Sequence, residues 1–307
     1  MSRVNRRTAR PVTALMGRVA RWDGISPKDA LARVGGLFTP VKEKIFLSSG
    51  REIEDKRAII NPENGVILGV TGDGYEPLSN DILHESMEQL GDALGEKPKV
   101  SAAHCLDGGR IVSLEGVIGS AESIIPGDDV IPIVKILQGH GGSHSADFLF
   151  ELSRLICSNG ARVAIKGTKH CFSVRHTATV KTRYDFNFKR VLEVFAKGRD
   201  NMLANFRKFA ATPMSKAETL AYFRAIAESR SEKDKKAEQT VENLLEVWNH
   251  PRQLMGGDTL WRAFNAATEF TQHWGFRDDE SMVLNNLGGK ATALKDSAYQ
   301  IALELAS

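Results

Sequence analysis

Hydrophobic and polar positions follow two different periods along this chain, and the change between them lies near residue 182. In the first part, short apolar or alternating runs stand between Gly, Asn, Asp and Ser turns, which predicts β-strands. After residue 182, apolar residues recur at helical spacing over long stretches, which predicts amphipathic helices. We therefore predict an α+β fold: a strand-rich part with an antiparallel sheet and one or two helices, followed by an all-helical part.

Turn residues place the predicted strands. Ser48-Ser49-Gly50 and Asp107-Gly108-Gly109 each separate two strand-like runs and predict hairpins. Pro132 lies inside one predicted strand and indicates an edge position or a strand start. Residues 148–157 fit a helix or a strand equally well. The predicted strands lie at 43–60 (as a hairpin), 66–70, 100–104 with 110–117 (as a hairpin), 130–137 and 166–181.

Capping residues place the predicted helices. Ser26 followed by Pro27 is typical of a helix start, and Ser215 with Glu218 forms a capping-box pattern. Thr212-Pro213 breaks the long helix before it. The segment 229–238 fits a charged linker or an exposed helix start. The predicted helices begin near Pro27, Asn80, Phe188, Ser215, Val241, Leu260 and Lys290.

Three segments follow from these patterns. We predict a basic N-terminal arm at 1–40, an antiparallel α+β domain at 41–181 and a helical domain at 182–307.

No apolar run approaches the roughly 18 residues that span a bilayer. The three cysteines form no C-x-x-C motif, so neither a disulfide framework nor a zinc ribbon is predicted. We expect a cytoplasmic protein without a membrane partner.

Positive charge is concentrated in two segments, although the net charge is only +3. Residues 1–33 carry eight Lys/Arg against two acids, and residues 162–199 carry ten against two. Residues 34–161 instead carry ten Lys/Arg against nineteen acids. Local positive charge is what neutralises phosphates, so the two basic segments indicate a polyanion-binding surface. Solvated surface faces remain the alternative.

The second basic segment also contains aromatic residues. Cations that follow a phosphate chain and rings on which bases stack are the two requirements for binding single strands. Arg175 is the strongest candidate, because it alternates against Val174 and His176. The predicted phosphate contacts are Arg162, Lys166, Lys169, Arg175, Lys181, Arg183, Lys189 and Arg190, with Phe172, His176 and Tyr184 as stacking candidates and Arg6, Arg7 and Arg10 in the arm.

Other chemistry is less well supported by the sequence. His140 and His144, with His170 and Cys171, could hold a metal, but the glycines between the first two favour a loop. Asp128 and Asp129 could serve a two-metal nuclease, but they fit a turn more simply. Gly69, Gly72 and Gly74 lack the spacing of a nucleotide loop. We predict no catalytic residue, metal or cofactor.

Several segments carry a family resemblance by their order and spacing. They are Gly72 to Leu78, Arg154 to Asn159, Ser173 to Thr177, the long predicted helix that follows, Thr259 to Phe270 and the closing Gly288-Gly289 helix. They resemble the phage- and plasmid-related family catalogued as domain of unknown function 932. The strand-then-helix plan of that family is similar to that of phage single-strand annealing recombinases, which pair complementary strands on oligomeric rings without nucleotide hydrolysis. The Arg-rich arm departs from the family pattern.

These observations together predict a non-enzymatic protein of a phage or plasmid that binds and anneals single-stranded DNA without ATP, in recombination or replication. We expect a homo-oligomer, either a ring or a filament. Two alternatives stay open. One is a regulatory or protein-interaction factor with Trp248, Trp261 and Trp274 exposed as a docking surface. The other is a metal-dependent nuclease that uses Asp128 or Asp129.

Overall fold

The computed structural model describes residues 22–142, 146–155, 160–161, 172–174, 197–229, 234–273 and 290–307. The chain is α+β, with strands between residues 41 and 154 and helices from residue 197 onwards. The strands are β1 (Val41–Phe46), β2 (Glu52–Ile60), β3 (Ile67–Gly72), β4 (Lys99–Leu106), β5 (Ile111–Val117), β6 (Glu122–Ile125), β7 (Asp128–Gly139), β8 (Ala146–Arg154), β9 (Gly160–Ala161) and β10 (Phe172–Val174). The helices are α1 (Pro27–Arg33), α2 (Asp81–Leu94), α3 (197–211), α4 (Lys216–Glu228), α5 (Asp234–Trp248), α6 (Leu260–His273) and α7 (Lys290–Leu305), with 3₁₀ turns at Asp107–Gly109 and Pro251–Gly256.

Both hairpin predictions and the first helix start are confirmed. Strands β4 and β5 pair antiparallel across the turn at Asp107 to Gly109. Strands β1 and β2 pair antiparallel across the turn at Ser48 to Gly50, and β3 completes a three-stranded sheet. The Ser26 side chain accepts a hydrogen bond from the Asp29 backbone N–H at 3.1 Å, and Pro27 occupies the first helical turn. Local capping and turn chemistry therefore suffices to place these elements.

A seven-stranded antiparallel sheet forms the centre of the strand-rich part, with the strand order β10-β8-β7-β5-β4 and with β6 and β9 paired to β7 and β8. Residues 148–154 belong to strand β8, so this part of the segment that fitted either a helix or a strand is a strand. The prediction of an edge position for Pro132 is wrong, because β7 lies between β5 and β8. The ladder between β5 and β7 ends at the pair Val117 and Ile133. Pro132 lies just beyond it, where a missing N–H costs no ladder hydrogen bond.

The helices enclose an aromatic cluster. Phe206 of α3 is fully buried, and its ring centroid lies 4.8 Å from that of Trp261 and 5.8 Å from that of Phe264, both in α6. Val130 and Leu152 of the large sheet belong to the same apolar cluster. Side chains of the sheet and of the helices therefore share one core. None of the helices in the described part of the chain is both long and apolar enough to cross a bilayer.

The predicted capping box at the start of α4 is confirmed. The Ser215 hydroxyl accepts a hydrogen bond from the Glu218 backbone N–H, and the Glu218 carboxylate accepts one from the Ser215 backbone N–H at 2.8 Å. The hydrogen bonds that the Glu218 carboxylate accepts from the Ser215 hydroxyl, at 2.7 Å, and from the Ser215 backbone N–H hold the pKa of Glu218 below its usual value. A lowered pKa means that this contribution to stability is present at neutral pH and disappears as the pH falls through the folded-state pKa of Glu218.

We expect Ser215→Ala to lower the free energy of unfolding by about 1 kcal/mol, because an orphan N–H at the first turn of α4 loses its acceptor. Urea denaturation at neutral pH measures the loss. Lys216→Ala, at the next and exposed position, is the control and should change stability little. Equal effects of the two substitutions would contradict a capping role for Ser215.

Candidate functional site

The large sheet has two faces of different character. One face carries Val112, Leu114, Val134, Ile136 and Phe148, and these pack against α1 and α2. The same face continues to Val130 and Leu152, which join the aromatic cluster of the helical part. The helices that contact this sheet in the described part of the chain therefore cover mainly one face of it.

The opposite face, which we call the polar face, carries buried charged residues. Glu115 of β5 lies directly opposite Lys135 of β7, and the Lys135 Nζ is 2.9 Å from a carboxylate oxygen of Glu115. On β8, Leu149 lies opposite Lys135, which makes Asp147 and Glu151 the diagonal neighbours of Lys135 on the same face. Glu115, Asp147 and Glu151 thus lie on the same face of the sheet as Lys135, and all four residues are buried.

The chain that follows β8 returns to the edge of this sheet. Gly160 and Ala161 pair with Ser153 and Leu152, and Phe172 to Val174 pair with Phe148 to Ala146. In sequence, Arg162 directly follows the first of these edge strands and Arg175 directly follows the second. The basic segment 162–199 is therefore attached to the sheet at β8, through β9 and β10.

A buried ion pair joins the sheet to the helical part. Arg154, the last residue of β8, donates two hydrogen bonds of 2.5 Å to the two carboxylate oxygens of Asp128 at the start of β7. Trp261 of α6 donates a third, of 2.8 Å, to Asp128. Arg154 also donates to Gln253 at 2.9 Å, and Gln253 donates to Glu269 of α6 at 2.7 Å. We call these five residues the Arg154 network.

Comparison with protein families finds one described as a domain of unknown function (DUF932), whose model matches residues 67–290. The chain belongs to this family. No curated protein and no solved structure matches the chain. The DUF932 match begins at β3 and extends through α6, so it contains the large sheet, the polar face, the Arg154 network and the basic segment.

Within the DUF932 match, the residues predicted to contact nucleic acid lie almost entirely outside the described residues. Only Phe172 falls in a described strand, where it pairs with Phe148. The predictions for the others stand as made from the sequence. Outside the described residues lie Arg162, Lys166, Lys169, Arg175, His176, Lys181, Arg183, Tyr184, Lys189 and Arg190, as do Arg6, Arg7 and Arg10 of the arm, which precedes the DUF932 match.

The histidine motif is only partly described. His140 is buried, and its Nε2 lies 2.8 Å from the side-chain oxygen of Asn80. His144, His170 and Cys171 lie outside the described residues. Within the described ranges, no group of three or more His, Cys, Asp or Glu side chains is arranged to hold a metal ion.

Some residues of the two alternative sites proposed from the sequence are engaged in the core. Asp128 is fully buried, and both its carboxylate oxygens accept hydrogen bonds from Arg154, so the carboxylate is engaged in a structural ion pair. Trp248 and Trp261 are core residues, so the prediction that they form an exposed docking surface is wrong. Trp248 also stacks on Arg262, whose guanidinium lies 3.8 Å from the ring centroid. Trp274 lies outside the described residues.

Sequence analysis did not identify the Arg154 network or the polar face. Arg154, Glu115 and Lys135 each interrupt an otherwise apolar strand, which is the signal that could have identified them. A charged residue in a buried strand needs an oppositely charged or hydrogen-bonding partner. The partner itself depends on strand register, which the sequence alone left open.

Proposed function

We propose that this DUF932 protein binds single-stranded DNA and anneals complementary strands without ATP, in the recombination or replication of a phage or plasmid in a bacterial host. Annealing requires no catalytic residue. It requires one strand held extended with its bases accessible, and several subunits acting together. The proposal combines the charge distribution along the chain with the attachment of the basic segment to the sheet edge.

The observation that carries the proposal is the position of β9 and β10. They attach the segment with ten Lys/Arg and two acids to the free side of β8, in a family domain whose preceding part is acidic. Phosphates are therefore expected to follow the basic segment at the edge.

The proposal is tested by an electrophoretic shift and annealing assay with complementary oligonucleotides, without ATP, at two salt concentrations. About five phosphate contacts on a single strand should weaken binding on the order of 100-fold between ~50 and ~200 mM salt. A wild-type protein that shifts no single-stranded DNA at the lower salt concentration refutes the proposed function.

The double variant Arg175→Glu and Arg183→Glu should abolish binding at the higher salt concentration, because it replaces two attractive charges by two repulsive ones. The matched control is Lys208→Glu with Arg224→Glu, which makes the same change in net charge at exposed positions of α3 and α4. Binding should survive in the control. Wild-type affinity in the first variant, or equal losses in both, would show that the basic segment is not the binding surface.

A further inference from the structure

The three-stranded sheet exposes an apolar face. Val41, Ile60 and Ile67 lie opposite one another and form a row across its three strands, and Val70 lies in the next row. Ile67 and Val70 are 55% and 56% exposed. We call these four residues the β1–β3 apolar face.

The other face of this sheet is already in the core. Ile59 and Leu68 are fully buried in the cluster that contains α1 and α2. The sheet therefore carries apolar residues on both sides, and within the described part of the chain only the side of Ile59 and Leu68 is covered. Six of the ten large hydrophobic residues exposed in the described ranges lie between Val41 and Val70. Concentration of exposed apolar residues in one place is typical of an interaction surface.

The charges on this face are balanced. Glu43 lies in the row of Val70 and Lys56 lies in the row beyond it, and both are exposed. Lys42, Lys44 and Arg57 lie on the opposite face of the sheet, where they pair with Glu76, Glu52 and Asp73. Residues 41–60 contain five Lys/Arg and four acids. A surface with nearly balanced charges does not attract a polyanion or an anionic lipid surface. It suits the same surface of a second copy of the chain, because two opposed copies can bring the cations of one near the acids of the other.

The size of the face also fits a protein partner. Its four side chains expose on the order of 300 Å² of surface, which is about two thirds of the roughly 450 Å² of apolar area that each partner contributes to a standard interface. A single bound side chain or a small ligand would leave most of that area in water.

We propose that the β1–β3 apolar face packs against the same face of a second copy of this chain. The inference deepens the proposed function, on which it rests for its biological role, because annealing requires several subunits on one strand.

Face-to-face packing is also favoured over pairing through β1. A two-fold pairing centred on Glu43 sets Lys42 opposite Lys44 of the second copy, and like charges opposite each other destabilise a strand pair.

Self-association is measured on the full-length protein without DNA, by light scattering after size-exclusion chromatography over a concentration series. We expect the wild type to self-associate, and Val70→Lys to weaken self-association about tenfold or more. Leu305→Lys is the control, because Leu305 is also exposed (48%) but lies at the end of α7. The double variant Ile67→Thr and Val70→Thr keeps β-branched residues in the strand and should give the same result as Val70→Lys if the latter folds poorly.

The outcomes separate this inference from the proposed function. A wild type that self-associates through this face but binds no DNA leaves the inference intact and refutes the function. A wild type that is monomeric at every concentration overturns the inference, and would mean that the face is bare or has another occupant. Self-association that is unchanged in the double Thr variant, with its fold confirmed by circular dichroism, also overturns it.

Discussion

Replacing Asp128 by Ala is expected to lower the free energy of unfolding by about 3–5 kcal/mol, which is a large part of the stability of an ordinary domain. The reason is the position of Arg154. Its guanidinium is fully buried, and both oxygens of Asp128 accept its hydrogen bonds. Removal of the carboxylate leaves this cation in the core without its main counter-charge, and also removes the acceptor of the Trp261 N–H.

Urea denaturation followed by fluorescence and by circular dichroism measures this effect. Asp129→Ala is the matched control, because Asp129 is the neighbouring acid and is only partly buried. The double variant Asp128→Leu and Arg154→Met should recover part of the loss, since it removes both buried charges together. A change below about 1 kcal/mol in Asp128→Ala, or an equal change in Asp129→Ala, would show that the ion pair contributes little.

The Arg154 network also determines how the chain should unfold. Arg154 and Asp128 come from strands, whereas Gln253, Trp261 and Glu269 come from the helical part. A division of the chain near residue 182 remains a prediction. Two separate unfolding transitions in the wild type, one for the strand-rich part and one for the helical part, would show that the shared core around Val130 and Leu152 couples the two parts only weakly.

Local chemistry accounts for the elements that sequence analysis placed correctly. The Ser26-Pro27 start, the Ser215–Glu218 capping box and the turn at Ser48 to Gly50 each depend on residues within four positions of one another. The left-handed conformation of Gly95, which ends α2, is of the same kind. Such signals can be recognised in a single sequence because no distant part of the chain affects them.

Features that depend on pairing between distant strands could not be predicted in the same way. Pro132 indicated an edge strand, yet the ladder with β5 stops beside it and β7 is central. Glu115 and Lys135 are twenty positions apart in sequence, and only the register of β5 on β7 brings them together. Asp128 fitted a turn or a metal ligand until Arg154 was placed against it. In each case a tertiary contact changed the role that local sequence suggested.

Lys135→Met is expected to destabilise the protein at neutral pH by a similar amount, about 3–5 kcal/mol. Methionine keeps most of the volume of the side chain, so the loss should come mainly from charge and not from packing. Glu115 would lose the ammonium group that lies 2.9 Å from its carboxylate, on a face that also carries Asp147 and Glu151 of β8. The cost of burying these carboxylates would then be less well compensated.

Lys99→Met is the matched control, because Lys99 pairs with Val117 on the same face of the sheet but is exposed. A double-mutant cycle with Glu115→Gln, measured by urea denaturation, isolates the coupling between Glu115 and Lys135. We expect a coupling energy above about 1 kcal/mol. Lys99→Met should show no such coupling with Glu115→Gln. Additive single substitutions, or a Lys135→Met protein as stable as Lys99→Met, would mean that the polar face does not depend on this ion pair.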